Sequence, residues 1–354
     1  MFKPSRTFCM IVASAFLSSC STASMIDRTV ADNASDIASC GVNAGDMQWL
    51  NNSVEAWRQQ ISTLQGVALP DTMRAVLYDA DCQLVLRNAM TLPYGSPITF
   101  EASSHDGTLM FPDDGGTFEA PIGPMSATMG TKDGQPIFVM SLPSLWELGG
   151  VDSEELGREA LMTAVLLHEG AHVFQFAGYG EFIGEALSGV PNAEDFDDDT
   201  LQEMFESNDA FLAGIREEQA LFMEASVESS LADAIQKTEA ALEMMKGREA
   251  RFISENQSYV VRASDAFWSL EGSGQWIGYR WLADPNGGGF DERTAEIGYG
   301  TRGGSWSQSH GFAMAMALNR IDPDWTRIAF GSVDKTIRQM LTSAVEDSRL
   351  SSNQ

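Results

Sequence analysis

Histidine is scarce in this chain. Among 354 residues only His105, His168, His172 and His310 carry an imidazole, so chemistry that needs this group has few places to sit. Basic residues are also few, 22 Lys and Arg against 50 Asp and Glu, a formal net charge of −28. A field of that sign repels phosphate backbones and anionic headgroups, which excludes nucleic acid as a partner. The acidic residues are scattered rather than gathered in a tail and read as a solvated surface. No internal repeat is present. The acidic loop with Asp195, Asp197, Asp198 and Asp199 lacks the glycine and distal glutamate of an EF-hand, so it reads as solvated loop rather than a calcium site. With 44% hydrophobic and 20% charged residues, the rest of the composition is that of a globular protein with a sizeable core.

The N-terminus reads as an export signal. Lys3 and Arg6 precede an uncharged, mostly apolar run from Thr7 to Leu17. That run is too short for a bilayer, which takes about 20 apolar residues. It ends in Leu17-Ser18-Ser19-Cys20, which resembles the lipobox of bacterial lipoproteins. The resemblance implies removal of residues 1–19 and lipidation of Cys20. Ser21, rather than Asp, then favours the outer membrane, facing the periplasm. Ordinary signal cleavage, leaving a soluble periplasmic or secreted protein, is the alternative. Of the other cysteines Cys9 lies in the signal, while Cys40 and Cys82 are an even pair in an oxidising compartment and are expected to form a disulfide.

Residues 20–45 read as a tether. Residues 46–150 form a mixed α/β region: a helix over about Asp46 to Gln65, a strand–turn–strand at Ala75–Tyr78 and Cys82–Leu86, and a stronger strand at 135–142. Residues 151–350 are mainly helical. A long buried helix is expected to open at Asp152 and Glu155, which have capping-box spacing, and to stop at Gly178 and Gly180. Helical periodicity follows from Leu201 to Lys246, again from Gly247 to Ala283, over Gln308 to Asn319, and from about Val333. The fold class is α+β, a strand-containing N-terminal half with a mainly helical C-terminal half, as one globular unit.

The long helix carries His168-Glu169-Gly170-Ala171-His172. Residues four apart on a helix leave the same face, so the two imidazoles can grip one Zn²⁺ at about 2.0–2.1 Å. Glu169 stands beside the metal rather than on it, placed to take a proton from a water whose pKa zinc lowers to about 7. A catalytic zinc site needs a third protein ligand and keeps one position open. Gly178 occupies the place of a third histidine of the metzincin pattern, so a carboxylate is required, from Glu181, Glu185, Glu217, Glu218, Glu224 or Glu271.

The stretch Leu167 to Gln175 resembles the zinc helix of gluzincin-type metallopeptidases, and Leu270-Glu271-Gly272 resembles their second metal-bearing helix. The matching motifs cover about 20 residues. The resemblance implies a zincin-like fold, His168, His172 and Glu271 as zinc ligands, and Glu169 as general base. Where thermolysin-like members have an Asp four residues after the third ligand, this chain has Gln275.

His310 and Tyr299 are candidates to donate a hydrogen bond to the tetrahedral oxyanion, His310 first. His105 is expected to be exposed. The leading functional expectation is hydrolysis of a peptide or protein substrate by zinc-activated water, with the strand at Ile137–Leu142 as the edge that holds an extended peptide. A non-catalytic zincin-like binding or scaffold lipoprotein is the alternative, and hydrolysis of a non-peptide amide in cell-wall material a third.

Overall fold

Short apolar runs separated by polar turns become strands in the structure, a computed structural model that describes residues 40–64, 66–67, 73–111, 116–130, 135–300 and 305–352. The proposed anchor Cys20, the signal segment and most of the tether lie outside the described residues. β1 (Arg74–Tyr78) and β2 (Cys82–Arg87) form the expected hairpin, paired antiparallel from Arg74 with Arg87 to Tyr78 with Gln83. Asp79 closes its turn by accepting from the backbone N–H groups of Asp81 and Cys82. β3 (Glu101–Ser104) joins the outer side of β2. After a small hairpin of β4 (Thr108–Met110) and β5 (Thr117–Glu119), β6 (Ser126–Gly130) pairs antiparallel with β7 (Pro136–Ser141), and β7 runs parallel to β1. The sheet order is therefore β3-β2-β1-β7-β6.

This order corrects the expectation that the strand at Ile137–Leu142 is an edge. β7 is paired on both sides and buried on both faces, the behaviour of an interior strand, and β6 ends the sheet among the described residues. Side-chain alternation then sorts the residues. Val76, Val85, Ala127, Met129, Ile137 and Val139 pack with Leu109 and Phe111 in one apolar cluster. Thr128 and Phe138 alternate with them and point to the opposite face.

Helix α1 (Ala44–Ser62) is capped by Asn43, whose side chain accepts from the Asp46 N–H. Just ahead of it Cys40 is joined by a disulfide to Cys82 on β2, with the Cα atoms 5.5 Å apart. A short α2 (Pro143–Leu148) follows β7. The long helix α3 spans Arg158–Ala186, later at both ends than its sequence signals. At the front, Asp152–Glu155 form a turn in which Ser153 Oγ accepts from the Leu156 N–H, and Gly157, at φ 74°, leads into the helix. At the back, Gly178 does not stop the helix. A Cβ there would lie 2.5 Å from Val333, so this glycine serves close packing instead.

The remaining helices are α4 (Thr200–Phe205), α5 (Asp209–Val227), α6 (Leu231–Phe252), α7 (Ser258–Ala283), α8 (Glu292–Ala295), α9 (Trp306–Ile321) and α10 (Ile337–Ser352). Gly247 falls inside α6; the breaks come instead at Asn208 and Ser230, which cap α5 and α6 by accepting from Phe211 and Asp233 N–H groups. Val333, at φ 46°, ends the preceding turn, and the last helix begins at Ile337, where Thr336 Oγ1 accepts from the Gln339 N–H and Gln339 Oε1 accepts from the Thr336 N–H.

The class is α+β, as expected. The described residues divide into two compact units, one drawn from 40–63, 73–173 and 277–299 and the other from 174–276 and 305–352. The sheet belongs to the first unit, and α5, α6, α9 and α10 to the second. Among the described residues no helix is long and apolar enough to cross a membrane.

Candidate metal centre

His168, Glu169 and His172 sit midway along α3, on a segment whose Leu161, Met162, Ala164, Leu166 and Leu167 are all buried. Apolar residues on nearly every face make this stretch a core helix, so its polar residues are enclosed with it. His168 and His172 are 4% and 3% exposed, with ring centroids 4.4 Å apart. Glu271, fully buried on α7, follows buried Phe267 by one turn and shares its face. One ligand atom from each of His168, His172 and Glu271 can be chosen so that all three lie within 4.8 Å of one another. Two imidazoles and a carboxylate at that spacing form a buried group that can hold a metal ion.

The other carboxylates considered as ligands are engaged elsewhere or face solvent. Glu218 is taken by Arg248, whose Nε and Nη2 donate to its two oxygens at 2.7 and 2.9 Å. Glu224 pairs with Lys237, and Glu181, Glu185 and Glu217 are exposed.

Glu169 is 1% exposed and receives the hydroxyl of Thr128 on its Oε2 at 2.8 Å. Strand alternation aims Thr128 at this glutamate. Gly170 is needed for packing: a Cβ there would stand 2.7 Å from the ring of Trp57, itself buried on α1 and donating to the Met90 carbonyl. Further along α3, Gln175 Nε2 donates to Ser273 Oγ at 2.6 Å and to the Ala329 carbonyl at 2.9 Å. Ser273 in turn donates to the Ser269 carbonyl within α7. Gln275, at the position where thermolysin-like enzymes have an Asp, is buried.

Glu271 has two further neighbours that sequence reasoning did not assign. Gln308, on the first turns of α9, donates from Nε2 to Glu271 Oε2 at 3.4 Å. Asp198 is half-buried and accepts from Ser307 Oγ at 3.2 Å. Burial, then the negative charge of Glu271, then those of Asp199 and Asp197, push its pKa up to about 8. This acidic loop is thus not wholly a solvated one.

His310 is fully buried, its ring centroid 4.6 Å from that of Trp268 and 5.9 Å from that of Phe222. Its Nε2 stands 3.7 Å from Glu218 Oε2, too far for a hydrogen bond. Burial, and after it the charges of Arg248 and Arg338, hold its pKa well below the usual range, so the ring is neutral and forms no ion pair with Glu218. Tyr299 donates its hydroxyl to the Ala164 carbonyl, one turn before His168. His105 is not exposed: it is half-buried, with Nδ1 accepting from Gly107 N–H and Nε2 donating to the Asp79 carbonyl.

No family model, curated protein or solved structure matches the chain.

Proposed function

We propose that this protein is a zinc-dependent hydrolase of peptide bonds with a zincin-like fold, carried to the cell envelope as a lipoprotein anchored through Cys20. The observation that carries the reading is the buried group of His168, His172 and Glu271 with Glu169 next to the first ligand. The donor set suits zinc, which takes imidazole nitrogen and carboxylate oxygen and keeps a position open when the protein supplies three ligands. A bound zinc supplies Lewis acidity, acidifying a water and polarising the scissile carbonyl.

The chain's own residues supply the proton transfers. Glu169 takes a proton from the attacking water as its oxygen bonds to the carbonyl carbon, and returns it to the amide nitrogen as the C–N bond breaks. Thr128 donates to Oε2 and so orients the carboxylate. An extended peptide is accommodated by pairing with β6, which ends the sheet among the described residues and carries Thr128, by the backbone route through which sheets add a strand.

The test is a zinc determination on the purified chain, with hydrolysis of a casein and peptide panel compared between wild type and Glu169→Gln. One zinc per chain, hydrolysis by the wild type and its loss in the variant are expected. Equal activity in both would rule out Glu169 as base. Bound zinc without hydrolysis by the wild type would replace the enzyme with a non-catalytic metal-holding lipoprotein.

A further inference from the structure

The two motifs account for the ligands of the metal site but not for what aims the third one. Two constraints place a residue of α9 on Glu271. The first is a backbone crossing. Gly272 on α7 and Gly311 on α9 meet with no side chain between them, and a Cβ built on Gly272 would run into the Gly311 backbone, while one on Gly311 would run into the Trp268 carbonyl. Such a contact fixes the register of the two helices, because nothing flexible lies in it to yield. Gln308 lies one turn before Gly311, and Glu271 immediately precedes Gly272, so the crossing sets the amide beside the carboxylate.

The second constraint is the anchoring of α9 by other residues. The Trp306 N–H donates to Gln202 Oε1 at 2.8 Å, Gln219 Nε2 donates to Ser309 Oγ at 3.0 Å, and Ser307 Oγ donates to Asp198. Gln308 is therefore held in place by its scaffold, independently of the bond it makes to Glu271.

From this geometry we infer that Gln308 is a positioning residue for the metal site, fixing the plane of the Glu271 carboxylate through its Nε2–H. The inference rests on the metal reading above. The residue type suits the task. A carboxylate swings about its last torsion unless one oxygen is held, and a glutamine amide holds it without exchanging a proton or changing the local charge. Lysine there would form an ion pair with the ligand, and an acid would repel it. With the plane set beforehand, metal binding does not have to order the ligand.

The experiment compares zinc affinity by chelator competition, and the visible spectrum of the Co²⁺-loaded protein, for the full chain and four variants. Gln308→Met keeps the volume and removes the donor. Gln308→Asn keeps the amide but shortens its reach and stands in should the first variant fold poorly. Gln219→Met loosens α9 without touching a ligand, and Glu271→Ala removes the ligand itself. Both Gln308 variants are expected to bind zinc about 10- to 100-fold more weakly and to shift the Co²⁺ spectrum, as loss of an outer-sphere partner does. Removing a donor from the fully buried Glu271 carboxylate is expected to lower the metal-free melting temperature of Gln308→Met modestly, and Gln219→Met should match wild type in affinity and spectrum. The proposal is overturned if both Gln308 variants bind within about threefold of wild type with unchanged spectra, since outer-sphere partners exceed that. It is equally overturned if Gln219→Met weakens binding as much, because packing of α9 would then explain the loss. A wild type without zinc affinity, or a Glu271→Ala variant that binds as tightly as wild type, would sink the metal reading and this proposal together. Dependence on Glu271 without dependence on Gln308 sinks the proposal alone.

Discussion

Thr128 donates its hydroxyl to Glu169 at 2.8 Å, joining β6, which ends the sheet among the described residues, to the buried carboxylate that follows His168. The same oxygen lies 3.2 Å from the Glu169 carbonyl, so the hydroxyl reads both the side chain and the backbone of α3. Replacing it with the isosteric Thr128→Val leaves a buried carboxylate short of a donor. The expected result is a loss of about 1–3 kcal/mol in stability. On the proposed function, hydrolysis should also fall about 10- to 100-fold while zinc content stays unchanged. Urea denaturation alongside kcat/KM checks both. Undiminished activity would show that the bond does not position the base.

Two glycines of the same helix should respond to alanine in opposite ways. At Gly170 the new methyl meets the Trp57 ring, which is fully buried and has no room to retreat. Overpacking of this kind costs about 1–3 kcal/mol. At Gly180 nothing lies within 4 Å, and the residue is exposed in mid-helix. There alanine should stabilise by about 0.5–1 kcal/mol through helix propensity. Equal denaturation midpoints for the two variants would contradict this account of α3 packing.

The buried imidazole of His310 makes an acid-labile element. In the unfolded chain it titrates near 6.5, while burial and the nearby Arg248 and Arg338 hold the folded value well below that. Stability from this residue is therefore complete above pH 6.5 and is lost as the pH falls toward the folded value, because only the unfolded chain takes up the proton. The slope is that of one proton, about 1.4 kcal/mol per pH unit. Asp198 and Asp265 act in the opposite sense. Their folded pKa values are raised, to about 8 and about 6, so each favours the folded state as the pH falls. Urea midpoints for wild type and His310→Phe, compared from neutral pH into the mildly acidic range, isolate the imidazole. The gap between the two proteins should narrow, or reverse, as the pH falls; a constant gap would refute it.

Cys40 and Cys82, 42 residues apart in sequence, should give a reductant-sensitive stability. Closing a loop of that length restricts the unfolded chain by about 4 kcal/mol in the chain-entropy account, with measured values commonly about 2–4. Paired Cys40→Ala and Cys82→Ala substitutions should lower the melting temperature and abolish its dependence on dithiothreitol. A melting temperature indifferent to reductant in the wild type would be the contrary result.

Local geometry made part of this legible in the sequence. The spacing of His168 and His172 needs nothing beyond helix pitch, and Asp79-Ala80-Asp81 between two apolar runs needs nothing beyond a turn. Six carboxylates were eligible and no periodicity links Glu271 to α3, so helix pitch alone does not select it. Boundaries failed where tertiary packing overrode local signals. Asp152 and Glu155 have the spacing of a helix start, yet Ser153 takes the Leu156 N–H and the helix waits until Arg158. Gly178 looks like a stop and is a contact with Val333. Strand order was beyond reach for the same reason. Nothing in the strand at 136–141 itself says that β6 pairs with its far side. Thr128 and Gln308 left no trace because each matters only through a residue distant in sequence.

The bare crossing of Gly272 and Gly311 gives the protein an unusual kind of sensitivity. Most helix contacts absorb a changed side chain by letting its neighbours rotate. Here the surfaces that meet are main chain, and the first atom added to either must push the helices themselves apart. Because Glu271 sits on one rim of that contact and Gln308 on the other, a lone methyl at either glycine would be read out as a wider span between amide and carboxylate.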